Sequence, residues 1–170
     1  DMERLEKQLL HVAAQVEEAV RQSMSALYSR DPDLANTVIA GDKEIDRREV
    51  EVEEECLKIL ALHQPVAQDL RFVASCLKIN NDLERIGDLA CTIAQRAKSL
   101  ASRSAVDPPE RLPEHLERTM AMLRSSIDAF VHADSDSARN VCAPRTTSST
   151  RCTARRSTAC SLACTPTRSS

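Results

Sequence analysis

"LHQPVAQD", residues 62 to 69, interrupts two long helical patterns and decides how they pack. Proline at position 65 has no N–H for an interior helical bond, so the reading turns the chain at His63 and Gln64 and restarts it at Pro65. Backwards from this turn, Pro32 follows Asp31, an N-cap residue before a first helical position where proline costs no hydrogen bond. A second helix is therefore expected from there to about Leu62. Before it, Leu5, Leu9, Val12, Val16, Ala19, Val20, Met24 and Leu27 recur at helical spacing and predict a first helix over residues 2–29. Forwards, a third helix should continue to about Leu100. Three helices of similar length joined by short turns imply an antiparallel three-helix bundle over residues 1–100.

Composition agrees with an all-α fold. The 170 residues include one Tyr, two Phe and no Trp, so the core is aliphatic, and Gly41 and Gly87 are the only glycines. Sandwiches, barrels and glycine-rich phosphate loops are disfavoured on that account. No stretch of about 18 apolar residues suggests a membrane span, and "DMERLEKQLLHVAAQVEEAV" lacks the apolar middle of a signal peptide, so an intracellular, cytoplasmic setting is expected. Seven cysteines, none in a C-x-x-C pair, read as buried thiols at Cys56, Cys76 and Cys91 rather than a disulfide framework. Residues 144–170 hold five Arg and no acid, leaving 18 basic against 26 acidic residues over 1–143. An acidic body without stacking aromatics excludes nucleic acid as the expected partner.

Residues 101–113, "ASRSAVDPPERLP", read as a proline-containing linker, and residues 114–143 return to helical periodicity. A shift of 103 positions lays "RQSMSALYSRDPDLANTVIA" on "RSSIDAFVHADSDSARNVCA", with Ala26 on Ala129, Asp31 on Asp134, Ala35 on Ala138 and Val38 on Val141 among the identities. The fold class read from this is an antiparallel three-helix bundle followed by an incomplete second one. From Pro144 onward Ser, Thr and Arg dominate and residues 144–170 lack the means to build a core. A tail without order or a frameshift near Cys142 to Arg145 would each account for this. "TTSSTRCT" can be encoded so that starting one nucleotide earlier gives D-D-E-L-D-A-L-Y, which resembles "DKEID" of the first repeat. Truncation of the second bundle is expected to leave Met120, Leu123, Ile127 and Phe130 as an open apolar face inviting association, a homodimer included.

"KINNDLERIGDLA", residues 78–90, carries a polar island within the third helix. At 100° per residue Phe72, Cys76, Ile79, Leu83, Ile86, Ala90 and Ile93 form the expected core seam. Asn81, Glu84, Arg85 and Asp88 fall on the opposite arc, below Leu70, Val73 and Leu77. On the second helix Asp42, Asp46, Glu49 and Glu53 recur at four-three-four spacing, and antiparallel pairing brings Asp42 and Asp46 level with residues 82–86. Asp42, Asp46, Glu84 and Asp88 would then crowd four carboxylates together, an oxygen set suited to hard cations such as Mg, Ca, Mn or Fe. The plainer alternative is solvated helix surface, with Arg85 paired to Asp46 and the run "EVEVEEE" at residues 49–55 facing water. His11, His63, His115 and His132 form no E-x-x-H or H-E-x-x-H motif, which disfavours di-iron oxidases and zinc proteases.

"GDKEID", "LALHQPVAQDLRFVASCLKINNDLERIGDLA" and the 103-residue repeat together resemble the PhoU family of phosphate-signalling regulators over residues 1 to about 143. The resemblance implies tandem three-helix bundles with E/D-x-x-x-D motifs that bind metal clusters, Fe, Mn, Mg, Ca or Zn, and places Glu84 and Asp88 in the first-repeat motif. It further implies a non-enzymatic adaptor peripheral to the membrane that restrains phosphate uptake and a sensor histidine kinase when phosphate is plentiful. The transporter ATPase and that kinase would be its partners, with Asn81 and Arg85 beside the metal or in partner contact. The alternatives are a carboxylate-bridged oxidase or phosphatase and an inactive helical fragment.

Overall fold

A computed structural model describes residues 1–103 and 108–142, the side chain of Cys142 excepted. Five helices follow one another: α1 (Met2–Ser29), α2 (Pro32–His63), α3 (Ala67–Ala101), α4 (Leu112–Val131) and α5 (Ser135–Cys142). The chain divides into two compact units, Asp1–Glu110 and a second beginning at Arg111.

In the first unit α1, α2 and α3 pack pairwise against one another. Asp31 caps α2 as its sequence requires, its Oδ1 accepting from the backbone N–H groups of Asp33 at 2.9 Å and Leu34 at 3.1 Å. Arg30 and Gln64 take left-handed backbone angles, φ 55° and 42°, and so reverse the chain at the two turns. The second turn comes back to the start of α1, where His63 Nε2 lies 2.8 Å from Asp1 Oδ2. Up-down-up topology follows, with α2 antiparallel to both neighbours.

The core is aliphatic. Leu5, Leu9, Val12 and Val16 of α1, Val38, Ile45, Val52 and Ile59 of α2, and Val73, Cys76 and Leu83 of α3 are buried. The four α2 residues recur every seven positions, the spacing of a seam packed by helices crossing at a shallow angle. Each such side chain removed from water contributes about 1.5–3 kcal/mol before chain entropy is counted. At the end of the bundle that holds the α1–α2 turn, the packing residues shrink to Ala26, Ala35, Val38, Ala94 and Ala97. Small side chains there let the three backbones close up.

The seam of α3 is rotated from its expected position. Phe72, Ile86 and Ile93 are only half-buried, whereas Val73, Asn80, Gly87, Ala94 and Ala97 are buried together with Cys76, Leu83 and Ala90. The reason is that α3 meets two partners. Its apolar arc is wide, and the flank toward α2 is filled by the small residue Gly87 and the amide Asn80, which hydrophobicity alone assigns to the surface. Of Leu70, Val73 and Leu77, expected on a second and partly packed face above the polar island, Val73 is fully buried, Leu77 half-buried and Leu70 exposed.

Within the second unit α4 and α5 pack on each other. Their junction repeats the α1–α2 turn at the shift of 103 seen in the sequence. Ala133 is left-handed at φ 51° like Arg30, the Asp134 N–H donates to the Ala129 carbonyl at 2.9 Å as Asp31 does to Ala26 at 3.2 Å, and Asp134 Oδ1 caps Asp136 and Ser137. Two expectations are corrected here. Helix α4 begins at Leu112, inside the stretch expected to be a linker, because Pro113 suits a first helical turn. Met120 and Ile127 are buried, and Leu123 and Phe130 half-buried, so they form no open apolar face. The suspected frameshift and the character of residues 144–170 lie outside the described residues. No described helix is long and apolar enough to cross a membrane.

Candidate functional site

Helix α2 carries two kinds of charge. Toward solvent, Arg47 bonds Glu44 at 2.6 Å and reaches Glu51, and Arg48 lies 2.9 Å from Glu44, so acids and bases on that side neutralise one another locally. Toward α3, Asp42, Asp46 and Glu49 follow at intervals of four and three and share one stripe. None of the ion pairs among the described residues reaches Asp42, Asp46, Glu84 or Asp88, and the Arg85–Asp46 pair of the plainer alternative is not among them.

The antiparallel pairing of α2 and α3 sets these residues against each other. Ile45 packs toward Gly87, where a Cβ would stand 3.5 Å from Ile45 Cγ2, and this contact fixes the level of the neighbouring rungs. Asp42 and Asp46 then stand beside Glu84 and Asp88. Their charges bear on Glu84 and Asp42. Burial, and after it the charges of Asp88 and Asp46, push the Glu84 carboxyl above the usual range, against an opposing pull from Arg85. Asp42 is likewise raised, first by burial and then by Asp46 and Asp88, while a hydrogen bond from the Cys91 thiol draws it back. Like charges that raise one another's affinity for a proton also raise it for a metal cation.

Of the predicted residues, Asp42, Asp46, Glu84 and Asp88 are therefore brought to one face. Asn81 and Arg85 are exposed, and Arg85 acts on Glu84 through its charge. Asp82 turns to the flank of α3 away from α2, half-buried, with one carboxylate oxygen lacking a hydrogen-bond partner.

Three further residues belong to the face. Glu49 is raised by burial and then by Glu53, Glu84 and Asp46, so it shares the same field rather than simply facing water. Asn80, 1% exposed, donates from Nδ2 to the Glu49 carbonyl at 2.9 Å and to Glu49 Oε1 at 3.2 Å. Cys91 lies at the other end, with Gln95 Nε2 at 3.6 Å from its sulfur. The four-three spacing pointed to Glu49. Nothing in the sequence tied Asn80 to it. Within "EVEVEEE", Glu55 also departs from the expected solvated surface, being buried with Arg4 at 3.9 Å and Lys58 at 4.0 Å.

Among the described residues no group of three or more His, Cys, Asp or Glu side chains is placed so that it could hold a metal ion. The donor chemistry nevertheless fits a hard divalent cation: several carboxylates, half-exposed or exposed and able to turn, with a net repulsion that a cation would relieve.

The PhoU domain model matches residues 9–97. A phosphate-specific transport system accessory protein PhoU homolog of Aquifex aeolicus is 36% identical over 141 residues, which cover 83% of this chain and 64% of the relative. The protein of that name from Escherichia coli K12, PhoU, is 35% identical over 138 residues, covering 81% and 57%. Among solved structures, PhoU from Pseudomonas aeruginosa superposes with a TM-score of 0.76 at 35% identity, over 81% of this chain and 66% of that one. The phosphate transport system regulatory protein PhoU from Streptococcus pneumoniae gives 0.76 at 29%, over 82% and 66%. The chain thus spans less than two thirds of the length of each of these proteins.

Proposed function

This chain belongs to the PhoU family, and from that membership we propose that it is a non-enzymatic, cytoplasmic adaptor of phosphate transport which carries divalent metal on the α2–α3 face. The observation that supports this reading is the pair of motifs, Asp42-x-x-x-Asp46 on α2 and Glu84-x-x-x-Asp88 on α3, which no ion pair among the described residues reaches and whose charges act on one another across the antiparallel helices. The names of its relatives attach them to a phosphate-specific transport system. As an adaptor the chain would restrain high-affinity uptake and the phosphate-responsive sensor kinase, binding the transporter ATPase and the kinase from the cytoplasmic side.

Asp42, Asp46, Glu84 and Asp88 would hold the metal. Bound there, it would supply positive charge and a bridge between two helices that otherwise repel one another along this stripe. The protein's own contribution is rigidity below the stripe. Ile45 packs against Gly87 across the two helices, with Leu83 and Ala90 buried nearby on α3, so the carboxylates would project from a firm base. Arg85, exposed beside them, limits the repulsion in the unloaded state and remains available to a partner.

Capture assays test this reading. The purified chain, metal-loaded and chelator-treated, is offered immobilised transporter ATPase and histidine kinase, with oxidase and phosphatase assays run alongside. Metal-dependent retention without turnover is expected. Turnover without retention would replace the adaptor with a carboxylate-bridged enzyme, and neither result would leave a helical fragment.

A further inference from the structure

Between α1 and α2 lies an open cavity of about 640 Å³ whose floor includes Val12 and Val52, each 1% exposed. Arg4 Nε, 3.9 Å from Glu55 Oε1, marks the level of the antiparallel pair, so Gln8 stands by Glu51 and Val52, and His11 by Arg48. Arg4, Lys7 and His11 recur at intervals of three and four and form one stripe of α1 along the cavity.

The body of the chain is acidic, yet this cavity collects donors. Lys7 and His11 are exposed and enter none of the ion pairs among the described residues. A histidine ring donates from at least one nitrogen whatever its charge. Arg48 is half-buried, and its Nε, though 2.9 Å from Glu44 Oε1, is not directed at it and has no hydrogen-bond partner. Gln8 Oε1 is likewise buried without a donor. Two such polar atoms in one wall are a cost that a ligand can remove. Of the acids on the cavity, Asp1 is held by His63 and Glu51 by Arg47, while Glu3 is exposed. Lys7, His11 and Arg48 thus remain as donors, with Gln8 as an acceptor beside them.

Donors converging from two helices suit a negative group with several acceptor oxygens, and a phosphoryl group offers three. A bare ion would leave most of the volume unused, because cavities of roughly 300–1,000 Å³ enclose whole small molecules. The apolar floor accepts carbon, and Gln8 Oε1 calls for a hydroxyl to donate to it. We propose that the α1–α2 cavity binds the phosphomonoester of a hydroxylated small molecule, a sugar phosphate or a nucleotide. Lys7, His11 and Arg48 take the phosphoryl oxygens, Gln8 takes a hydroxyl, and Val12 and Val52 lie beneath the carbon skeleton. None of these residues belongs to the acidic α2–α3 face, so the site requires no metal there.

Ribose 5-phosphate, AMP, inorganic phosphate and ribose are the probes, titrated calorimetrically into the chelator-stripped full chain in metal-free buffer. The chains compared are wild type, Lys7→Gln, Lys7→Gln/His11→Gln, Gln8→Met and Lys98→Gln, the last losing an exposed lysine of α3 and so the same charge away from the cavity. Ribose 5-phosphate should bind wild type ~10-fold or more tighter than inorganic phosphate, and ribose should not bind detectably. AMP separates the two sources: tighter binding than ribose 5-phosphate identifies a nucleotide site, and equal or weaker binding a sugar-phosphate site. Lys7→Gln should weaken the ester ~10-fold and the double variant ~100-fold, as for lost hydrogen bonds to a charged group. Gln8→Met should weaken ribose 5-phosphate and leave inorganic phosphate unchanged, and Lys98→Gln should change neither. The proposal is overturned if wild type binds neither ester, if inorganic phosphate binds as tightly as the esters, or if Lys98→Gln loses as much affinity as Lys7→Gln. Equal weakening of ester and inorganic phosphate in Gln8→Met overturns the hydroxyl assignment. Should Gln8→Met not fold, Gln8→Ala serves the same comparison.

Discussion

Replacing Glu84 by Gln tests the sign of the electrostatics on the α2–α3 face. Glutamine has nearly the same shape and helix propensity, so the substitution removes one charge and little else. In the folded chain Glu84 is half-buried and feels burial first, then Asp88 along α3 and Asp46 and Asp42 across from α2, with Arg85 opposing. Each exposed charge pair is worth a few tenths of a kcal/mol after solvent screening. Three repulsions and partial burial set against one attraction leave a net relief of about 0.5–1 kcal/mol on neutralisation. A domain of roughly 100 residues shifts by about 4–8 °C per kcal/mol, so the chelator-treated variant should melt a few degrees above wild type at low ionic strength. In 1 M salt, where the screening length falls to about 3 Å, most of the difference should vanish. Were Glu84 an ordinary surface acid paired with Arg85, the same substitution would lower the melting temperature slightly or leave it unchanged. Either of those results at low salt refutes the repulsive face.

Other expectations address fold and titration. Asp31→Ala removes the cap of α2 and should cost about 1 kcal/mol in urea unfolding, with an effect of the same sign for Asp134→Ala on α5 helicity. Leu83→Ala empties a buried core position, 1% exposed, and should cost about 3–5 kcal/mol, read by the urea midpoint. Gly41 lies within α2 with no heavy atom within 4 Å of a built Cβ, so Gly41→Ala should gain nearly 1 kcal/mol from helix propensity alone. The raised carboxyls of Asp42, Glu49 and Glu84 bind protons more tightly folded than unfolded. Their contribution to stability therefore falls as pH rises from the ordinary carboxylate range through their folded values. Exposed Glu44 and Asp134 shift the opposite way, so the test is the difference in pH profile between wild type and Glu84→Gln/Asp88→Asn without metal. Wild type should lose relatively more stability between acid and neutral pH.

Most helix ends were legible because the chain punctuates them chemically, although α3 opens at Ala67, two residues after the Pro65 expected to restart the chain. Asp31 and Pro32 cap and open α2, and the "HQP" turn closes it with Gln64 in a left-handed conformation. The shift of 103 laid Asp134 on Asp31 and Ala129 on Ala26, and the structure repeats at the second pair the cap and the backbone bond of the first. The phase of α3 was not. A helix wedged between two others buries a wide arc, and Asn80 and Gly87 lie within it for reasons of hydrogen bonding and small size that hydrophobicity does not encode. The acidic face was half legible. Spacing and antiparallel register brought out Asp42, Asp46, Glu84 and Asp88, because periodicity survives in one dimension. Spacing placed Glu49 on the same stripe, but its link to Asn80 spans 31 positions between helices and leaves no trace in either helix's own pattern. Cys91 was expected as a buried thiol, and so it is, yet its contact with Asp42 depends on where α2 crosses α3. Its sulfur, like those of Cys56 and Cys76, is pushed up by burial toward the neutral thiol.

Metal content and Mn(II) or Fe(II) affinity, measured side by side for wild type and Glu84→Gln/Asp88→Asn, bear most directly on the central claim. Both substitutions preserve shape and hydrogen bonding while removing two negative charges from the carboxylate face. Wild type should bind the cation and melt higher in its presence, and the double variant should fold, bind far less and show no such rise. Equal metal content and equal melting shifts in the two proteins would contradict the account and return the face to ordinary solvated helix surface.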